Sequence, residues 1–293
     1  MGDPPGYGAL IQTHSGEDSL RIPTNLDASL VLLRHGQSTF IAEDRFQGEA
    51  ETPLTELGRQ QAQLAGTRLA RPDAPPALPI PDSAPIEIVH SPLSRAAETA
   101  AIVAASISQA AGGSTPAVRS ETGLSEIAQG EWEGLHRDEV ERRDGSLLAT
   151  WRARPLEAHA PGGESLGEAA ARARPALRAI IDRLTAKQPL APETIVSPVA
   201  GYSGVLSPDR PWTLLVAHDG IFKITLLSLL RLPLEAFWVF PFALCGISIV
   251  ELRGGRAILR AHNLTEHLAP LEEAAALPAA GAIATSEERG GAL

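Results

Sequence analysis

The chain lacks a second cysteine. With Cys245 alone among 293 residues, no internal disulfide and no thiolate metal cluster can form. Cys245 sits in the apolar run 240–250, which points to a buried inert thiol rather than a nucleophile. A bilayer-spanning run is missing as well: the longest apolar stretch, 236–250, is interrupted by Pro241 and Gly246 and is too short to span. The first residues hold no Lys or Arg before Arg21 and no apolar segment, unlike a secretory signal. A soluble cytoplasmic protein is expected. Positive charge is also scarce, 25 Lys and Arg against 35 Asp and Glu, for a formal net charge of −10. Such a chain repels nucleic-acid phosphates and anionic lipid, so no nucleic-acid or membrane partner is expected. An anionic substrate would need a local cluster of arginines to overcome that field.

Hydrophobic residues make up 44% of the sequence, enough for a large α/β domain. Residues 1–28 and 269–293 are rich in small and polar residues and read as tails, the second with a short helix around 271–276. Between them, strand-like and helix-like segments alternate. Residues 29–33 form a short apolar run ending at Arg34-His35-Gly36, a buried strand. Thr55 caps a helix running to about residue 70. Strands follow at 86–89 and 117–119, with a helix between them that has Ser91 as N-cap and Pro92 at its first position. Residues 127–163 carry turn residues, Trp132, Trp151 and several arginines without clear strands, and read as a cap insertion. From Glu164 the apolar positions 166, 170, 173, 177, 181 and 184 predict an amphipathic helix, which Pro175 should kink or split. Residues 185–211 read as a long loop. A strand at 212–217, a helix at 221–230 and a hairpin of 247–252 with 256–261 around Gly254-Gly255 complete the order. This alternation predicts a three-layer α/β/α sandwich with a mostly parallel sheet, its site beyond the carboxyl ends of the strands.

Three segments place polar groups directly after a strand: Arg34-His35-Gly36-Gln37-Ser38, His90-Ser91-Pro92-Leu93-Ser94-Arg95 and His218-Asp219-Gly220. Converged on one crevice, they bring together two arginines, two histidines and the starts of two helices, a set suited to phosphate. A neutral imidazole there can attack phosphorus, and neighbouring guanidinium charges favour the neutral form.

These residues resemble a known family. Leu33-Arg34-His35-Gly36 is similar to the signature of the histidine phosphatase superfamily, which includes the cofactor-dependent phosphoglycerate mutases. The likeness continues in order through Phe46-Gln47-Gly48 and Thr52-Pro53-Leu54-Thr55, Ser91-Pro92-Leu93-Ser94-Arg95-Ala96 with Thr99, Leu124-Ser125-Glu126, Gly130-Glu131-Trp132-Glu133-Gly134, Pro161-Gly162-Gly163-Glu164-Ser165 and His218. It covers roughly residues 29 to 268. The resemblance implies His35 as the phosphorylated nucleophile, Arg34, Arg95 and His218 as holders of the phosphoryl oxygens, and Glu126 as general acid and then base. Gln47 would line the substrate side, and the backbone N–H of Asp219 would donate to phosphate while its side chain points elsewhere. No metal and no cofactor are implied. One position departs: the family's usual Asn six residues after the nucleophile is Ile41, so one phosphate contact is missing.

Each signal has a structural alternative. Arg34 and Arg95 are surface charges, His218 a satisfied core histidine and Glu126 a solvated loop charge if they do not converge; Glu131 or Glu133 would then be alternative acids. His90 stands at the pocket rim or outside it. His14, His136, His159, His262 and His267 show no ligand spacing, and the tryptophans at 132 and 151 read as cap packing. The Gly-Glu-Trp-Glu-Gly and Pro-Gly-Gly-Glu-Ser segments resemble the phosphatase branch, whereas a mutase carries a longer insertion. A phosphate-binding module without catalysis is the non-enzymatic alternative. The expected ligand is a small phosphomonoester, and Arg137, Arg142, Arg143, Arg152 and Arg154 are candidates for meeting a second acidic group on it. The sequence carries no signal of an oligomeric state.

Overall fold

The structure, a computed structural model, describes residues 20–113, 115–188 and 210–276. It is built on one six-stranded sheet. In chain order the strands are β1 (Asp27–Arg34), β2 (Glu87–His90), β3 (Ala117–Ser120), β4 (Trp212–Ala217), β5 (Ile247–Arg253) and β6 (Arg256–Leu264). Their order across the sheet is β3-β2-β4-β1-β5-β6. β1 to β4 pair in parallel, and β5 runs antiparallel to both β1 and β6. The helices are α1 (Thr39–Ala42), α2 (Glu56–Leu69), α3 (Ser94–Ala110), α4 (Arg137–Ala153), α5 (Leu166–Lys187), α6 (Asp219–Leu230) and α7 (Ala269–Ala276).

The continuous apolar run of β1 is explained by burial on both faces. Leu30 and Leu32 join one core with residues of α5 and α6, whereas Val31 and Leu33 join a second core with residues of α2 and α3. β4 divides the same way, Leu215 and Ala217 to the first core and Leu214 and Val216 to the second. The result is the three-layer α/β/α arrangement expected from the alternation of segments. Register then sets the site. Arg34 lies opposite Ala217, and His90 opposite Val216, so β1, β4 and β2 end side by side at one edge.

Local chemistry accounts for the helix starts. The Thr55 hydroxyl accepts from Gly58 N at 3.1 Å, the cap read from the sequence. Ser165 and Glu168 form a full capping box before α5. Three expectations need correction. The Ser91-Pro92 pair does not open α3: the N-cap is Leu93 and the helix begins at Ser94, because the Ser91 hydroxyl is engaged with His218 and with Leu93 N. Pro175 does not split α5, which stays helical through it; the proline lies on the exposed side, where water can serve the carbonyl it leaves unpaired. Residues 20–28 are not a tail: Leu20, Ile22 and Leu26 are buried in the first core and β1 already starts at Asp27, apolar positions too widely spaced to show periodicity. The segment 127–163 holds no strand, as expected, but it contains α4, whose weak apolar stripe (Val140, Leu148 and Trp151 buried) is broken by non-helical backbone at Asp144. Of the long loop expected at 185–211, α5 takes the residues up to Lys187, and 189–209 lie outside the described residues. Among the described residues no helix is long and apolar enough to cross a membrane.

Candidate active site

The ends of β1, β4 and β2 bring His35, His218 and Ser91 together, and α3 adds Arg95. His35 is buried, and its backbone N–H donates to Ala217 O at 2.9 Å, extending the β1–β4 ladder by one residue. Its ring Nδ1 lies 2.7 Å from Gly36 O. A carbonyl only accepts, so Nδ1 carries the proton and the lone pair of the neutral ring is at Nε2. Gly36 is held by its surroundings: a Cβ there would lie 2.3 Å from Gly58 O, so only glycine lets the turn after β1 seat on the start of α2. The Gly36 N–H donates to the Thr99 hydroxyl at 3.2 Å.

His218 packs edge-on against His35, ring centroids 5.0 Å apart, with its Nε2 at 2.7 Å from Ser91 Oγ. Burial, then the charges of Arg95 and Arg34, hold the His35 pKa well below the ordinary histidine value. For His218 the same direction follows from burial, then Arg95, His35, Arg34 and Arg172. Both rings are therefore neutral near pH 7.

Arg95 is fully buried and donates to Gly48 O at 2.7 Å and Ala50 O at 2.9 Å, tying α3 to the Phe46-Gln47-Gly48 segment. Burial lowers its pKa to about 10, leaving it charged near neutrality. Arg34 donates to the carbonyl of Phe242. Among the described residues, Arg34 Nε, Arg95 Nε and His218 Nδ1 are buried donors or acceptors with no hydrogen-bond partner. Unpaired buried polar atoms are costly, and three around one imidazole form a receptor for an anion.

Glu126 enters from the loop after β3. Its Oε1 accepts from Ile127 N and Ile221 N, both at 3.0 Å, and its Oε2 from Gly220 N at 3.1 Å. The first amides of α6 therefore hold this carboxylate, where the sequence suggested that they would hold an anionic ligand. Those of α3 are similarly engaged, Ser94 N with Glu51 and Leu93 N with Ser91. Gly220 is needed here, since a Cβ would stand 2.7 Å from Glu126 Oε1. Burial, then the charge of Asp219, raises the Glu126 pKa above the usual carboxylate value, against the pull of the amides and Arg95. A carboxyl group that holds its proton more tightly can give that proton to a leaving oxygen.

Gln47 is buried beside Ser38, whose hydroxyl donates to its Oε1. The Asp219 side chain turns away from the histidines: Oδ2 pairs with Lys223 Nζ at 2.7 Å and Oδ1 accepts from Phe242 N at 3.1 Å. Ile41 lies in α1, partly exposed. His90 is half-buried, its Nδ1 on Ser91 O. Four of the five insertion arginines are engaged with carboxylates of the chain itself, Arg137 with Asp44, Arg143 with Asp144 and Glu131, Arg152 with Glu141, and Arg154 with Glu157, whereas Arg142 is exposed. Trp132 and Trp151 are buried, in tilted and edge-on contact in a row with Phe46 and Trp238, and act as packing. Cys245 is fully buried, and burial pushes its thiol pKa up, which fits an inert side chain.

Sequence reasoning gave Ser91 only the role of a helix cap and gave none to Phe242 or to Arg172. Phe242 contributes a carbonyl, which leaves no trace in residue type. Arg172 was detectable, because it falls on the same helical face as Ala169, Ala173 and Ala176, a charge within an apolar stripe.

A family model described as "Histidine phosphatase superfamily (branch 1)" matches residues 30–196 and 205–265. A glucosyl-3-phosphoglycerate phosphatase of Mycobacterium tuberculosis (strain CDC 1551 / Oshkosh) is 33% identical over 225 residues, 77% of this chain and 85% of that protein. A 2,3-bisphosphoglycerate-dependent phosphoglycerate mutase of Gloeobacter violaceus is 33% identical over 147 residues, 50% of this chain and 59% of that protein. Among solved structures, mycobacterial glucosyl-3-phosphoglycerate phosphatase in complex with VO3 superposes with a TM-score of 0.60 and 28% identity, covering 81% of this chain and 100% of that one. By its ordered motifs, its fold and these matches, the chain belongs to branch 1 of the histidine phosphatase superfamily.

Proposed function

We propose that the chain is a metal-independent phosphomonoesterase that hydrolyses a small phosphorylated metabolite through a phosphohistidine on His35. The observation that carries the reading is the Nδ1–H bond of His35 to Gly36 O, which leaves Nε2 as the basic atom beside Arg34, Arg95 and His218. Nε2 attacks phosphorus; the N–P bond forms as the bond to the ester oxygen breaks. Glu126 gives its proton to that oxygen, and the alcohol leaves. The Glu126 carboxylate then takes a proton from water, whose oxygen attacks phosphorus. The N–P bond breaks, phosphate leaves and neutral His35 is restored. Charge on the transferring oxygens is met by Arg34, Arg95 and His218, so the step needs no metal. Gln47 and the Asp219 N–H complete the pocket in this reading.

The substrate to test first is glucosyl-3-phosphoglycerate, named for relatives that align with 77% of the chain. The mutase reading is weaker, because its relatives align with about half of the chain. Action on a metabolite in the cytoplasm is part of the same proposal, and a chain with one cysteine suits a reducing compartment. The test is release of inorganic phosphate from a panel of phosphomonoesters in EDTA, with 3-phosphoglycerate and its bisphosphate as a parallel arm. Phosphate release and an acid-labile phosphoenzyme are expected. Isomerisation without release would move the protein to the mutases. Silence in both arms would leave a binding module.

A further inference from the structure

We infer that Arg172 is a positioning residue for the general acid, fixing the Glu126 loop from the face of α5 on which that loop packs. This rests on the reading of Glu126 as the proton donor. Arg172 Nη1 donates to Gly123 O at 3.3 Å and Ser125 O at 3.0 Å, and Nη2 donates to Glu126 O at 2.8 Å. The same guanidinium meets Glu164 in a two-pronged pair, Nε to Oε1 and Nη2 to Oε2, each 2.8 Å. Among the described residues its hydrogen-bond partners are the acid's loop and Glu164. Residue 126 is held at both ends, its carboxylate by the amides of 127, 220 and 221 and its carbonyl by Arg172.

Glu164 belongs to a second loop that is laced to the first. Glu164 N donates to Ala128 O and Glu131 N to Pro161 O, both at 2.9 Å. The acid's loop sits hard on α5, since a Cβ on Gly123 would lie 2.4 Å from that of Ala176. A planar guanidinium can grip a carboxylate with two N–H groups while others reach the loop carbonyls, an arrangement that the three donors of an ammonium do not reproduce. The Gly-Gly-Glu-Ser and Leu-Ser-Glu motifs therefore meet through one arginine that belongs to neither.

The test uses the full chain and compares kcat/KM, which reports the steps up to phosphoryl transfer to His35. One substrate is p-nitrophenyl phosphate, whose leaving group departs as a stable anion. The other is glycerol 3-phosphate, whose alkoxide needs a proton. For Arg172→Lys and Glu164→Gln, kcat/KM for the alkyl ester should fall about 30-fold or more while that for the aryl ester stays within about 3-fold, as loss of general-acid help requires. Equal losses on both substrates, or no loss on either, would overturn the inference. Glu126→Gln is run alongside. If Glu126→Gln shows the selective loss and neither of the other variants does, Arg172 is excluded and the acid assignment stands. If Glu126→Gln shows none, both fail together. Thermal melts accompany each variant, and Glu164→Gln, which keeps the arginine, carries the test if Arg172→Lys does not fold.

Discussion

The two sides of the proposed pocket, one for phosphate and one for the acid, are fixed by different means. The phosphate side stands on the sheet. Arg34 ends β1, His35 and His218 directly follow β1 and β4, and the two strands are locked in parallel register. The acid side contains no strand. Glu126 hangs from a loop whose place depends on amides of α6, on the neighbouring 160–164 loop and on Arg172. The sheet ladder distributes its load over many backbone bonds, whereas each contact on the acid side is a large share of the whole. Changes near the phosphate side should therefore act through the chemistry removed, and changes near the acid side through displacement.

The largest expected effect tests the phosphate side. His35→Ala should reduce phosphate release by ~10⁴-fold or more and abolish the phosphoenzyme, with the thermal melt still cooperative. Retention of near-normal activity would remove His35 as nucleophile. Next comes displacement on the acid side. Gly220→Ala places a methyl 2.7 Å from Glu126 Oε1 in a position otherwise helical. Turnover of alkyl esters should drop about 100-fold while the fold is kept. An unchanged rate would mean that the carboxylate has room to move without consequence. Ser91→Ala takes the hydroxyl from His218 Nε2 and leaves that ring nitrogen unpaired. A loss of about 1–3 kcal/mol in stability and roughly 10-fold in kcat/KM is expected, read from melts and steady-state kinetics.

The smallest effect concerns pH. Folding keeps His35 well below the ordinary histidine value, mainly by burial and then through Arg95 and Arg34. Below about pH 6.5 the unfolded histidine takes a proton that the folded one refuses, so stability is lost as pH falls. Between pH 7.5 and 5 the melting temperature of the wild type should fall more steeply than that of His35→Gln, by a few degrees. Parallel slopes would show that the ring is not held neutral by the fold.

The phosphate side was legible in the sequence because each of its groups follows directly on a short apolar strand, and the carboxyl-end rule then brings the segments together. α2, β2, β3, β4 and the β5–β6 hairpin were legible for the same reasons of cap and run. α4 was not, because few of its positions are buried and Asp144 interrupts its helical backbone. The start of α3 misled because Ser91 has the right residue type for a cap but spends its hydroxyl on His218. The carbonyl of Phe242 under Arg34 was beyond reach, since any residue supplies one. Pro175 misled because a proline's cost depends on which side of the helix faces water, and one residue type does not state that.

The row of rings running from Phe46 through Trp132 and Trp151 to Trp238 has an optical consequence. Successive centroids are 5.5, 6.2 and 5.1 Å apart, and Phe46 immediately precedes Gln47. Three of the protein's four tryptophans thus share one cluster against that segment, while Trp212 is buried in the sheet with its N–H on Ser83 O. Ultraviolet emission is accordingly weighted toward this cluster, and its wavelength and intensity serve as an unlabelled gauge of how tightly the cluster packs against the segment that carries Gln47.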